Sequence, residues 1–369
     1  MSISPLKIIH LSSAHPDLDV RIFLKECRSL AKRFPNAEVH LVLSGVTERV
    51  EEGVHIHSVA PRTGSRLKRM WQTVNEVFQK GMALDGTIYH LHDPELLRIA
   101  LKLKRNGKRV IYDAHEDLPR QLLGKSYLPM RGMVSRIFEF YENYVVKRLD
   151  AVITATPFIR ERFQKIHPRV IDINNYPLLS ELAFDESTEE RTHVCYIGGL
   201  TPIRGISQLV DAMQYTKTTL QLAGALDDVF QSNLSESAGW SKVVSCGHVN
   251  RKEALAIKQK SFAGIVTFLP FPNHVNAQPN KIFEYMASGI PVIGSNFPMW
   301  KLLIEAQNVG LCVDPEDPKD IGEAIEYLRS NPEIAKTMGA RGKKLVQDTF
   351  NWTVEEDKLV GCYTEILNE

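Results

Sequence analysis

The feature that most constrains the fold is an alternation that runs from end to end: short apolar runs rich in Val, Ile and Leu, each followed by a stretch of helical periodicity. "KIIHLSS" precedes "VRIFLKECRSLAKRF", where Ile22, Phe23, Cys27, Leu30 and Phe34 recur at i, i+3/i+4 spacing and predict a helix. "EVHLVLSG", "VHIHSVA", "TIYHLH", "RVIYDAH", "AVITAT" and "VIDINN" are the further strand candidates of the first half. They are mostly apolar rather than alternating, as strands covered on both faces are, and so predict a parallel, doubly wound sheet. The pattern restarts with "HVCYIGGL", "TLQLAG", "KVVSCGHV", "AGIVTFL", "IPVIGS" and "GLCVDP", which predicts two α/β domains in tandem.

At 369 residues the chain exceeds what one core usually serves, and charge marks the division. Residues 1–175 hold 28 Lys and Arg against 19 Asp and Glu, whereas residues 176–369 hold 17 against 25. The expected organisation is a first domain over 1–175, an acidic linker over 176–191, a second domain over 192–349, and a terminal helix over 350–369 that packs back on the first domain. No window approaches the roughly 18 uncharged apolar residues of a membrane span, and no basic, apolar leader opens the chain, so neither spanning nor export is expected. The five cysteines are scattered without C-x-x-C spacing, the usage of reduced packing residues in a cytosolic protein; structural zinc is not expected.

Open sheets of this kind bind ligands beyond the carboxyl ends of their strands. One such segment, "TFLPFPNHVNAQPNKIFEYMASG", predicts a helix starting near Pro279 and stopping at Gly289. Ile282, Phe283, Met286 and Ala287 fall on one face, and Lys281, Glu284 and Ser288 on the other. A solvated surface pair would account for Lys281 and Glu284. Against that, a lysine in a first helical turn opposes the helix dipole unless an anion sits there, as helix N-termini favour. Earlier, "YIGGLTPIRGI" places Gly198 and Gly199 after a strand, with Arg204 offering a planar fork for phosphate oxygens. It is not a dinucleotide fingerprint, because G-x-G-x-x-G is absent.

In order, "YIGGLTPIRGI", "GHVNRKEA", "PNKIFEYMASGIPVIGS" and a terminal "NW" with its helix resemble the nucleotide-binding domain of retaining GT-B glycosyltransferases of family 4. "HPDLDVRIFLKECRSLAKRF" and "HDPELL…VIYDAHE" look like the acceptor domain of its bacterial polysaccharide members. The resemblance implies two Rossmann-like domains facing across a cleft, with the terminal helix crossing back. It implies that Glu284 holds the donor ribose, that Lys281 and Arg204 bind the diphosphate, and that His115 faces the reacting sugar. Gly199 and Asn280 would border the donor, His248 and Val249 would receive its base, and His15, Asp19 and Arg21 would border the acceptor or the phosphates. Two positions depart from the pattern: Asn276 replaces the first of two glutamates eight apart, and Gly199 replaces an arginine. Asn276 retains hydrogen-bonding capacity without charge and places donor choice in question.

The implied activity is retaining transfer of a hexosyl group from a UDP-linked sugar to a glycan or lipid-linked acceptor in cell-surface polysaccharide synthesis, such as O-antigen or capsule. Growing charge on the leaving diphosphate would be met by Lys281 and Arg204, with same-face attack and His115 orienting the sugar. No D-x-D motif follows a first-domain strand, so neither a metal nor another cofactor is expected. A nucleotide-sugar 2-epimerase of the same fold and a binding-only homologue are the alternatives. The basic excess, in "PRTGSRLKRMWQTVNEVF" with Arg62, Arg66, Lys68 and Arg69 and in "KSYLPMRGMVSRIFEFYENYVVKR", suggests peripheral contact with an anionic membrane at its cytoplasmic face. The first segment reads equally well as an amphipathic helix docked on its own sheet. Nucleic acid is disfavoured, because no RRM, KH or helix-turn-helix pattern accompanies the charge.

Overall fold

A computed structural model describes residues 6–60, 66–125, 128–182 and 190–369. It divides into two units: Met1–Asn175 with Trp352–Glu369, and Tyr176–Asn351.

In the first unit, β1 (Leu6–Leu11), β2 (Ala37–Ser44), β3 (Arg49–Glu51), β4 (Val54–Val59), β5 (Ile88–Leu91), β6 (Arg109–Ala114), β7 (Ala151–Thr154) and β8 (Val170–Asp172) form one sheet. Their order is β3-β4-β2-β1-β5-β6-β7-β8, and every pairing is parallel except β3 with β4. That antiparallel edge was not anticipated. It is made by Glu52 and Gly53, whose φ values of 48° and 81° form a two-residue turn of the kind that matches strand twist.

The second unit holds β9 (His193–Ile197), β10 (Thr219–Ala223), β11 (Val243–Gly247), β12 (Ser261–Val266), β13 (Val292–Ser295) and β14 (Gly310–Val313). They are all parallel, in the order β11-β10-β9-β12-β13-β14. Both units are Rossmann-like. Strand order reverses beside β1 in the first and beside β9 in the second, so the segments leaving β1 and β5, and those leaving β9 and β12, border the crevices where such sheets take ligands.

Two helices of the first unit bear on its chemistry. Val20–Cys27 is a π-helix rather than the α-helix its periodicity predicts, with the Leu24 N–H donating to Asp19 O at 3.1 Å. Ile22, Phe23 and Cys27 are buried as expected, but so are Arg21, Lys25 and Glu26. The helix Trp352–Leu367 buries Trp352, Glu355, Leu359, Cys362, Tyr363 and Ile366, a continuous face at helical spacing, and Trp352 Nε1 donates to Ser29 Oγ at 2.9 Å.

Candidate active site

In the second unit a cationic site forms at the carboxyl end of β9. The helix Asn280–Ala287 begins after Pro279, and Gly289 follows it at φ 65°. Ile282, Phe283, Tyr285, Met286 and Ala287 are buried. Tyr285 ties this helix to β9, because its hydroxyl accepts the Ile197 N–H at 3.1 Å. Gly264 in β12 makes room for the Tyr285 ring, which a Cβ there would strike.

Held this way, Lys281 extends its ammonium onto the turn that leaves β9. A Cβ on Gly198 would overlap Lys281 Nζ, and one on Gly199 would come within 3.1 Å of Arg204 Nη1. The glycines therefore admit both cations to one turn. Tyr196 braces that turn by donating its hydroxyl to Gly199 O at 3.1 Å, and its ring lies 5.5 Å below Lys281 Nζ. Arg204 stands 5.4 Å from the Phe268 ring. The next residue, Gly205, has φ 70° with its Cα against Thr267 O, where a side chain would not fit. Burial, and then the charge of Arg204, lower the Lys281 pKa to about 8. Among the described residues neither Lys281 nor Glu284 has an ion-pair partner, so they do not form the surface pair their spacing allows.

The other residues that the resemblance assigns to the donor lie in loops and at a helix start of the same unit. His248 and Val249 follow β11 beyond Gly247, itself at φ 65°. Asn276 is half-buried in the loop that precedes the Lys281 helix, and Asn280 is exposed at the helix start. Trp300 Nε1 donates to Ala277 O at 2.7 Å and pins that loop from beneath.

The first unit gathers a second cluster where β1, β5 and β6 end. His115 Nε2 lies 2.8 Å from Asp113 Oδ2, and the His15 ring is 5.1 Å from that of His115. His15 Nδ1 pairs with Asp93 Oδ1 at 3.0 Å, while Asp93 Oδ2 accepts from Ser12 Oγ at 2.8 Å and the Ser13 N–H at 2.6 Å. Burial would raise the Asp93 pKa, but these bonds and the His15 charge bring it to about 2.

The structure corrects the expectation for Arg21. The π-helix turns it inward, and its guanidinium meets Asp113 through two bonds of 2.9 and 2.8 Å, Glu26 at 3.2 Å and Ile173 O at 2.7 Å. With its side chain only 6% exposed, it does not border an acceptor or a phosphate. Asp19 is the cap of this helix, accepting the Arg21 and Ile22 N–H groups at 2.9 Å each. Sequence reasoning missed Asp113 and Asp93. The available signal was polar residues at i, i+2 at the ends of otherwise apolar buried strands, His90 in β5 with His92 just after it and Asp113 in β6 with His115 just after it.

Behind Asp113 lie His10, Glu26, His90 and His92, all fully buried, with candidate ligand atoms within 4.8 Å of one another. The histidines are better described as members of a hydrogen-bonded set than as metal ligands, since His10 Nδ1 and His92 Nε2 stand 2.8 Å apart and share a proton. Burial pushes the pKa of each histidine down, to about 3 for His92, so the rings are neutral.

A third feature is the outer face of the helix Arg131–Val146. Met133, Ile137, Phe140, Tyr141 and Tyr144 are exposed there, Phe140 to 76%. The exposed charges on this helix and just beyond it are Arg131, Arg136, Lys147 and Arg148. Its two acids lie off this face and are paired, the half-buried Glu139 with Arg120 at 2.5 Å and the buried Glu142 with Arg162 at 2.6 Å. By contrast, the helix Arg66–Ala83 buries Val74 and Val77 while leaving Trp71 exposed; Arg62 and the side chains of Arg66, Lys68 and Arg69 lie outside the described residues.

Two Rossmann-like units, one with paired cations on a glycine turn and one with a histidine behind a strand, define a GT-B glycosyltransferase. The chain belongs to the family 4-like members of that class. Residues 181–345 match the family described as Glycosyl transferases group 1, and residues 25–173 match Glycosyltransferase Family 4. An uncharacterized glycosyltransferase of Methanocaldococcus jannaschii is 23% identical over 58% of this chain and 59% of its own length. The D-rhamnosyltransferase WbpZ of Pseudomonas aeruginosa is 24% identical over 73% of this chain and 71% of its own. Among solved structures, sucrose-phosphate synthase from Thermosynechococcus elongatus shares the fold at a TM-score of 0.77 with 16% identity, covering 98% of this chain and 99% of that one. HepE of Anabaena, solved with UDP-glucose, does so at 0.73 with 14% identity, covering 98% and 100%.

Proposed function

We propose that this glycosyltransferase moves a hexosyl group from a UDP-linked sugar to a glycan or lipid-linked acceptor, with retention at the anomeric carbon and without a required metal, in cell-surface polysaccharide synthesis. The observation that carries the reading is the pair Lys281 and Arg204, two cations without a carboxylate partner among the described residues, gathered on the turn after β9. Such a pair suits the diphosphate of a leaving nucleotide, whose negative charge grows as the bond to the sugar breaks. Glu284, one turn into the same helix, accepts hydroxyl hydrogen bonds and suits the ribose. The structure of HepE with UDP-glucose supports a UDP-linked donor. His115 orients the donor sugar, and the departing phosphate takes the acceptor proton.

The test is incubation with UDP-sugars and a lipid-linked acceptor, followed by proton NMR of the new anomeric centre. Retention is expected, and an inverted centre would refute the mechanism. Nucleotide binding without transfer would instead mark a binding-only protein, and an epimerised sugar a 2-epimerase.

Peripheral contact with an anionic membrane is proposed on the helix Arg131–Val146, where exposed apolar and basic residues share a face from which the acids are turned away. Reversal of Arg136, Lys147 and Arg148 to Glu is expected to weaken sedimentation with anionic liposomes by roughly tenfold or more at low salt. Undiminished binding would remove this surface from the proposal. The expected location is the cytoplasmic face of the inner membrane.

A further inference from the structure

The π-helix Val20–Cys27 places two charged residues where an α-helix would not. Residues five apart on an α-helix point about 140° away from each other, yet Arg21 Nε and Glu26 Oε1 are 3.2 Å apart. The i→i+5 register brings them onto one face, and that face looks onto Asp113. Irregular helical turns of this kind recur at functional sites, and here the irregularity serves a carboxylate two residues before His115.

The hydrogen bonds behind Asp113 have one consistent direction. His90 Nδ1 and Tyr363 Oη are 2.8 Å apart, Tyr363 Oη and His10 Nε2 are 3.4 Å apart, and His10 Nδ1 and His92 Nε2 are 2.8 Å apart. His92 Nδ1 then stands 3.3 Å from Asp113 Oδ2. With these three rings neutral, a single assignment satisfies the four links: each of His90, His10 and His92 carries its proton on Nδ1, and the tyrosine hydroxyl donates to His10, while His92 Nδ1 and His115 Nε2, 3.4 Å apart, both point to Asp113 rather than to each other. The chain therefore runs from His90 through Tyr363 and His10 to His92 and ends as a donor on the carboxylate. Asp113 Oδ2 also accepts from Arg21 Nε and faces His115 Nε2 at 2.8 Å. A carboxylate accepts only, so His115 must be the donor there.

We propose that Asp113 is a positioning residue for the transfer step: fixed by Arg21 on one side and by the chain from Tyr363 on the other, it holds His115 as the Nε2–H tautomer and leaves Nδ1 as the lone-pair nitrogen. That nitrogen is then a ready acceptor for a hydroxyl of the donor sugar, and the imidazole ring keeps one orientation before the sugar arrives. The inference rests on the reading that His115 faces the sugar. It also gives the C-terminal helix a part in the site, since Tyr363 enters the chain from Trp352–Leu367.

The experiment uses the full chain labelled with nitrogen-15 at histidine, at about pH 8.5, where an ordinary imidazole is neutral. The His115 resonance is assigned by its loss in His115→Gln. Wild type is expected to show protonation on Nε2, and Asp113→Asn to lose that preference, because the amide can present its NH₂ to the ring. In the same variant kcat is expected to fall roughly 10–100-fold, the scale for removing an outer-shell partner, while KM for the UDP-sugar stays within about threefold because the cations of the second unit are untouched. Wild-type protonation on Nδ1, or an Nε2–H tautomer that persists in Asp113→Asn, would overturn the proposal. Should Asp113→Asn fail to fold, Tyr363→Phe decides: the His10 and His90 resonances must shift, and if they do not the chain is wrong. Transfer unaffected by His115→Ala would sink the reading of His115 as the sugar-facing residue while leaving the tautomer assignment intact.

Discussion

Arg21→Met is expected to destabilise the first unit by about 3–5 kcal/mol at neutral pH, the cost of breaking a buried ion pair by removing one partner. The argument is one of charge. Arg21, Asp113 and Glu26 are all buried, and His10, His90 and His92 beside them are neutral, so the guanidinium is the buried cation that compensates the Asp113 carboxylate. Burial alone would push the Asp113 pKa up, but Arg21 and then His115 outweigh it and hold the group well below the usual carboxylate range. Burial and the nearby Asp113 charge push Glu26 well above its usual range. A carboxylate whose folded pKa is depressed contributes stability that is present above its unfolded pKa and is lost only as the pH falls through the folded value. Methionine fills much of the space but leaves Asp113 ionised in an apolar site unless it takes up a proton. The gap between variant and wild type should therefore be widest at neutral pH and should narrow on acidification, as Asp113 in the variant protonates. Denaturant unfolding at several pH values measures this, and a variant within about 1 kcal/mol of wild type at pH 7 would show that the pair is not the anchor described.

The same cluster shows where sequence reasoning reaches and where it stops. Strands covered on both faces announce themselves as unbroken apolar runs, which is why the order of strands and helices in both units was legible. The edge strand Arg49–Glu51 was not, being short and polar, with its turn relying on Glu52 rather than on a glycine at its first positive φ. The π-helix was hidden for a more general reason. A 3.6-residue period assigns Arg21 and Lys25 to a solvated face and leaves Glu26 among the apolar positions; the i→i+5 register, which leaves no trace in hydrophobic spacing, turns Arg21 onto the face of Glu26. Arg21 was accordingly read as a ligand-facing residue when it is a buried one. His115 was singled out by the resemblance that "YDAHE" carries, but Asp113 was passed over as part of the strand itself. In the second unit, the shared face of Lys281 and Glu284 was legible from spacing. The approach of Lys281 to Gly198 depends on Tyr285 docking the helix onto β9, a contact between residues far apart in sequence.

Lys281→Ala or Arg204→Ala is expected to lower kcat/KM for transfer by roughly 10²–10³, the range for removing one preorganised group that meets developing charge. Preorganisation is visible before any ligand binds. Lys281 is held by a helix bolted to β9 through Tyr285, and Arg204 stands on the same turn, so neither has to be gathered at the moment of reaction. The arrangement is costly in the free protein, since burial and mutual repulsion bring the Lys281 pKa to about 8. For a lysine this is a depressed folded pKa: the unfolded chain binds more protons between about pH 8 and the ordinary lysine value, so stability of the free protein rises with pH across that window. A bound diphosphate reverses the balance by favouring the charged ammonium. Binding of UDP should therefore take up a fraction of a proton above about pH 8, and its affinity should fall as the pH rises further. Calorimetry in buffers of different ionisation enthalpy reads that uptake directly, and Lys281→Met should abolish it. Arg204→Ala should retain an uptake but shift it to higher pH, because arginine does not itself titrate there while its charge helps to depress the Lys281 pKa; both substitutions slow transfer. If both alanine variants transfer within about threefold of wild type, the diphosphate is not held by these cations, and the glycine turn after β9 serves packing alone.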